Sequence, residues 1–185
     1  MAVVISMLRG VNVGGHNLIK MDALRALYES LGLGEVRTYL QSGNVVFKTR
    51  ERSRHRLSER IAHGIDRRFG IRPDVILRTS SDFRKVIAGN PFAGRREIEP
   101  AKLHVTFLPS NPGPKARQEI LRIRTAPEEL YVSGRELYVY FPNGMGRSRF
   151  PWGLIEKTLR MSGTARNWNT VRKLFALAES LEASH

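Results

Sequence analysis

Residues 36–49, VRTYLQSGNVVFKT, decide how the first half of this chain folds. Two runs rich in β-branched and aromatic residues, VRTYLQ and VVFKT, flank Ser42, Gly43 and Asn44. Glycine reaches the positive φ that a tight reversal needs, so the stretch reads as an antiparallel hairpin. Upstream, Met21, Leu24, Leu27, Tyr28 and Leu31 recur at helical spacing, and Gly32 stands where a left-handed residue closes a helix. Before that helix, AVVISML (2–8) is a continuous apolar run, which suits a strand buried on both faces. Downstream, Leu57, Ile61, Ile65 and Phe69 mark a second helix ended by Gly70, and DVILRT (74–79) supplies a fourth strand. The order over residues 1–80 is β-α-β-β-α-β, the ferredoxin-like or split β-α-β pattern.

Residues 81–185 read as a second α+β subdomain, less regular and ending in extra helices. A short helix near Asp82–Ala88 and the turn-rich GNPFAGRREIEP (89–100) lead to a strand in KLHVTFLP (102–109). A helix near Ala116–Arg124 precedes ELYVSGRELYVYF (129–141), a second Ser-Gly hairpin. Helices are then expected near Trp152–Arg160 and over a final stripe of Val171, Leu174, Phe175, Ala178 and Leu181. The repeated motif order suggests duplication at the level of fold.

This order brings two polar loops together. A right-handed crossover makes the first two strands parallel, so their ends meet the same sheet edge. The loop RGVNVGG (9–15) and the turn QSGN (41–44) therefore converge, with Arg9, Asn12, Gly14 and Gly15 facing Gln41, Ser42 and Asn44. Backbone N–H groups on such a glycine loop can hold an anion, with Arg9 as a forked partner. The competing reading is that the glycines only allow a sharp exit from the sheet. Gly10 and Gly15 have nearly Walker-A spacing, but His16 and Asn17 replace its lysine and hydroxyl residue. Ordinary nucleotide hydrolysis is thereby excluded. Near the C-terminus, Asn167, Asn169 or Thr170 can cap the last helix and Trp168 can anchor it. Arg166 beside that helix start suits an anionic ligand, as would Asn167.

The composition narrows the chemistry further. A formal charge of +14 and a computed pI near 11.0 attract nucleic acid or other anions without choosing among them. Arginine enrichment also arises from base composition alone. Residues 50–72 carry eight arginines against three acids, readable as a solvated helix face or as a track for a phosphate backbone. The single phenylalanine of VVFKT argues against an RRM-like stacking sheet. Absence of cysteine removes thiol catalysis, disulfides and cysteine-based zinc sites, and fits a reducing cytoplasm. No histidine pair has metal-binding spacing, so neither a metal nor a cofactor is expected. No apolar run is long enough for a membrane span, and a cytoplasmic location without a membrane partner is expected.

LRGVNVGG, MDALRALYESLG, VRTYLQSGNVVF, GMGRS (144–148) and TARNWNTVRKL (164–174) occur in an order that resembles the bacterial domain-of-unknown-function 1697 family. The resemblance implies an α+β protein of two subdomains and assigns no catalytic residue. Arg9, Asn12, Gly14, Gly15, Gln41, Ser42, Gly43, Asn44, Arg166, Asn167 and Trp168 fall in its signature stretches. The leading expectation is a protein that binds an anionic ligand, nucleic acid or a nucleotide, at the RGVNVGG–QSGN edge. The alternatives are a small enzyme on a phosphorylated or carboxylated metabolite with His16 as base, and an assembly module. Oligomeric state is left open.

Overall fold

Strand and helix signals resolve, in a computed structural model that describes residues 1–184, into two four-stranded antiparallel sheets. The first contains β1 (Ala2–Leu8), β2 (Gly34–Tyr39), β3 (Asn44–Thr49) and β4 (Val75–Thr79), with α1 (Met21–Ser30) and α2 (Arg54–Phe69) as its crossovers. Its strand order, β2-β3-β1-β4, is the ferredoxin-like one. After α3 (Ser80–Ala88), the second contains β5 (Leu103–Phe107), β6 (Glu129–Ser133), β7 (Glu136–Tyr140) and β8 (Thr164–Asn167), with α4 (Pro114–Leu121) and α5 (Trp152–Leu159). Its order, β6-β7-β5-β8, repeats the first. The last helix is α6 (Trp168–Ala183). No described helix is long and apolar enough to cross a membrane.

Each sheet has its own core. On one face of the first, Val4, Leu8, Val45, Phe47 and Leu77 pack with Leu24, Leu27, Leu57, Ile61 and Ile65 of α1 and α2. Phe47 meets Tyr28 edge-on at 5.4 Å and is fully buried, so it offers no surface on which a base could stack. Tyr28 and Ser6 share a 2.9 Å hydrogen bond in this core, and burial pushes the tyrosine pKa upward. α2 ends as expected, with Gly70 closing the helix at φ 70°, and at its start the Ser53 hydroxyl accepts from Arg56 N.

The chain divides into two compact units, Met1–Arg84 with Lys173–His185, and Lys85–Arg172. This differs from the division at 80/81 expected above, because the last helix belongs largely to the first unit. Arg37 and Lys48 project from the sheet face opposite α1 and α2. They donate to Ser180 Oγ at 2.8 Å and to the Ser184 carbonyl at 2.7 Å. Arg84 lies 5.6 Å from the Phe175 ring and 3.6 Å from Glu179. Leu174, Ala178 and Leu181 of α6 are buried as well, and β1 is buried on both faces from Val3 to Leu8, which suits its continuous apolar sequence.

In the second unit, Leu108, Leu137, Val139 and Phe141 pack with Ile120, Ile155 and Leu159. Phe92 and Tyr140 lie together on the opposite side, where Tyr138 OH donates to the Val86 carbonyl at 2.8 Å. His104, on β5, stands edge-on to Phe141 at 5.3 Å, and its partial burial lowers its pKa. The unfolded chain therefore takes up the proton first. Stability is complete above about pH 6.5 and declines as pH falls toward the lowered folded value. Thermal melts between pH 7.5 and 5 are expected to show this slope and to lose part of it in His104→Phe. An unchanged slope would contradict the assignment.

Candidate functional site

The predicted convergence of the two loops is present in the backbone. Met7 of β1 and Tyr39 of β2 both pair with Asn44, the first residue of β3, so the ends of β1 and β2 flank it. Leu8 N donates to the Gly43 carbonyl at 3.0 Å. Gly43 has φ 74°, and a Cβ placed there would come within 2.9 Å of Leu8 Cβ. Glycine is required on both counts.

Asn12 joins the loops. Its Nδ2 donates to the Gln41 carbonyl at 2.6 Å and the Ile19 carbonyl at 3.0 Å, while its Oδ1 accepts from Ile19 N at 2.7 Å. Asn17 Nδ2 donates to the Gly10 carbonyl at 2.9 Å, and Asn12 N donates to the Asn17 carbonyl. The amide of Asn12 thus holds the loop in shape, with both kinds of hydrogen-bonding atom engaged. Asn44 is likewise buried and donates to the Tyr39 carbonyl and to Ser42 Oγ. Gln41 contributes its carbonyl to the clasp and keeps an exposed side chain.

The loop leaves outward the peptide N–H groups of Gly14 and Gly15, which have no protein acceptor among the described residues. Arg9 is half-exposed, 3.8 Å from Asp74, and His16 is exposed. Val13, Leu18 and Leu40 also face solvent, at 62%, 73% and 53% exposure. This apolar rim had no signal in the sequence, because its three members come from separate stretches that only the fold brings to one edge.

Arg166 and Asn167 lie in the second unit, on β8. Arg166 is buried and donates from Nη1 to Thr164 Oγ1 at 2.7 Å and to the Ala165 carbonyl at 2.8 Å. Burial lowers its pKa to about 10. Asn167 Oδ1 accepts from Thr170 N at 2.9 Å, the helix-capping role expected of it, and Trp168 is buried beside it.

The arginine-rich segment takes a definite form. Arg54 approaches Asp82 at 3.4 Å and Arg72 approaches Glu59 at 2.6 Å, so part of it is the solvated, paired face one reading expected. Arg50, Arg52, Arg60 and Arg67 are exposed and have no carboxylate partner among the described residues. Arg50, Arg52 and Arg60 line a depression of about 730 Å³ in the first unit, together with the carboxylate of Glu51. Arg60, His63, Arg67 and Arg68 line an adjoining one of about 520 Å³. The two share Leu31 and Arg60, forming one groove between α1 and α2. The signal was in the sequence: Arg56, Arg60, His63 and Arg67 follow helical spacing as closely as the apolar stripe does.

Among solved structures, the fold resembles that of conserved bacterial protein SP0830 from Streptococcus pneumoniae, with a TM-score of 0.76 and 23% sequence identity. The likeness covers 97% of this chain and 99% of that one, and at this identity it speaks for the fold alone. No curated protein sequence matches the chain. The sequence model of one family, described as "Protein of unknown function (DUF1697)", matches residues 1–138. The match includes both loops of the β1/β2 edge and ends within β7, ahead of the GMGRS and TARNWNTVRKL stretches. Three-quarters of the chain lies inside that match, and the protein belongs to the DUF1697 family.

Proposed function

We propose that the first unit binds a polyanion, a nucleic-acid strand, along the groove between α1 and α2. The observation that carries this reading is the set of four exposed arginines, Arg50, Arg52, Arg60 and Arg67, which line two adjoining depressions with no ion-pair partner among the described residues and outnumber the one carboxylate there, Glu51. Like charges so placed repel one another, and an approaching phosphate backbone relieves that repulsion while releasing its own counterions. The sixteen residues of α2 extend about 24 Å, enough for about seven phosphates of one duplex strand. Leu27 and Leu31 give the groove an apolar floor that the arginine stems can cover.

A second reading places a single phosphate group at the RGVNVGG–QSGN edge, favoured by the free N–H groups of Gly14 and Gly15 beside Arg9. The apolar rim of Val13, Leu18 and Leu40 makes this edge the weaker candidate for a long polyanion. His16 has no carboxylate to orient its ring among the described residues, so binding is better supported than acid–base chemistry there.

Fluorescence anisotropy of labelled single-stranded and duplex oligonucleotides over a salt series tests both readings. With four phosphate contacts, log K is expected to fall against log salt with a slope of about −3 to −4. Arg60→Glu with Arg67→Glu should weaken binding more than tenfold and reduce the slope by about two. Neither arginine has an ion pair to lose, so the melting temperature should stay near wild type. Absence of binding at low salt, or binding indifferent to the double reversal, would sink the groove reading. Loss on Arg9→Ala instead would move the site to the loop edge.

A further inference from the structure

His63 stands exposed on the crest of α2, on the side of the helix away from the buried Leu57, Ile61 and Ile65. It lines the same depression as Arg60, Arg67 and Arg68. Arg60 precedes it by three residues and Arg67 follows it by four, spacings that bring helical side chains within about 5–6 Å at Cβ. The ring has no hydrogen-bond or ion-pair partner among the described residues. We infer, on the strength of the groove reading above, that a bound polyanion draws a proton onto His63. The affinity of the groove then rises as pH falls through the range in which imidazoles change charge.

The direction follows from what surrounds the ring. Arg60 and Arg67 flank it on the groove side, and like charges disfavour the imidazolium. Glu59 and Asp66 stand at the same spacings on its other flank, outside the lining, and Glu59 is paired with Arg72 at 2.6 Å. From α1 the depression receives Leu27, Ser30 and Leu31, while the charged Arg25 and Glu29 of that helix face each other at 3.7 Å. β4, which also packs on α2, sends no charged group to the lining. Arg50, Glu51, Arg52 and Met1 line the adjoining depression. Phosphates drawn in by the arginines offset their field and set negative charge beside the ring. Both changes favour its protonated form. Coupling of this kind is reciprocal, so a proton on His63 strengthens phosphate binding by the same factor.

The test is the affinity of the full-length protein for a labelled oligothymidylate without terminal phosphates, at pH 7.0 and pH 5.5 in one low-salt buffer. Thymine and phosphodiesters do not titrate in that window, and carboxylates and amines ordinarily keep their charge across it. Wild type should bind about threefold tighter or more at the lower pH. His63→Gln should bind equally at both. His55→Gln, altered on α2 outside the groove lining, should keep the wild-type response. His63→Arg carries a fixed charge and should bind at pH 7.0 as the wild type does at pH 5.5. His104 is present in all four proteins, so its own titration cannot separate them. Equal wild-type affinity at the two pH values overturns the inference, as does a pH response that survives in His63→Gln. Binding that is lost in Arg60→Glu with Arg67→Glu, yet flat with pH, keeps the groove and removes only the role of His63. No binding at either pH overturns both.

Discussion

Asn12→Ala is expected to lower the stability of the first unit by about 3–5 kcal/mol. Three hydrogen bonds disappear, to Ile19 N, the Ile19 carbonyl and the Gln41 carbonyl, at about 1 kcal/mol each. Alanine must also hold φ 55°, a left-handed conformation that costs an ordinary residue about 1–2 kcal/mol and that asparagine tolerates better. Asn12→Gly separates the two contributions, since it relieves the backbone and still loses the bonds; about 2–3 kcal/mol should remain. Asn12→Asp retains the acceptor for Ile19 N but sets a carboxylate against two carbonyl oxygens, and should cost as much as alanine. Urea unfolding combined with amide exchange resolves these cases. Exchange should rise at Leu8, Asn12 and Ile19, and not at Leu57 or Ile61 in α2. Wild-type stability in all three variants would remove the clasp from the account. Weakened ligand binding in Asn12→Ala is therefore no evidence of a ligand contact, because the whole edge loosens with it.

Gly163→Ala should destabilise the second unit by about 3 kcal/mol. A Cβ there would lie 2.6 Å from Thr106 Cγ2 and 2.7 Å from the Phe107 carbonyl. The carbonyl belongs to the central strand, so relief requires β8 to move away from β5 at the Phe107–Thr164 pair. Overpacking of this kind costs about 1–3 kcal/mol, and the involvement of backbone places this case at the upper end. For a chain of this length the melting temperature should drop by about 6–12 °C. Thr106→Ser removes the crowding methyl and should recover part of the loss in the double variant, leaving the carbonyl clash. Gly113→Ala is the control, since nothing lies within 4 Å of a Cβ there and its φ is −63°. It should leave the melting temperature nearly unchanged. A Gly163→Ala protein as stable as that control would overturn the packing argument.

The parts of this fold legible in the sequence were those fixed by local periodicity. The stripe Leu57, Ile61, Ile65 and Phe69 announced α2, and the hairpin around Gly43 announced β2 and β3. The handedness of crossovers then placed the two loops at one edge without further information. What stayed hidden depends on partners distant in sequence. Asn12 reads equally well as a ligand donor or as a clasp, and only the carbonyl of Gln41, twenty-nine residues away, decides. β8 is four residues long, and TARN carries no alternation that would mark a strand; its pairing with β5 defines it. Arg54 and Arg60 look alike on paper. One finds Asp82 from another element, and the other finds no acid among the described residues, a difference that helical spacing does not record.

The return of α6 to the first unit has a consequence for how the protein is made. On the ribosome, all four strands of the first sheet have been translated by Thr79, yet Ser180 and Ser184, the partners of Arg37 and Lys48, come more than a hundred codons later. The second unit lies wholly between them in the message and has every one of its own elements first. The unit begun first is thus finished last. Until then Arg37 and Lys48, on the face that also carries Val3, Ile5 and Val46, lack the helix to which they bond. A premature stop after the second unit would remove both of those bonds, and the buried Leu174, Ala178 and Leu181, from a first unit whose sheet is already complete.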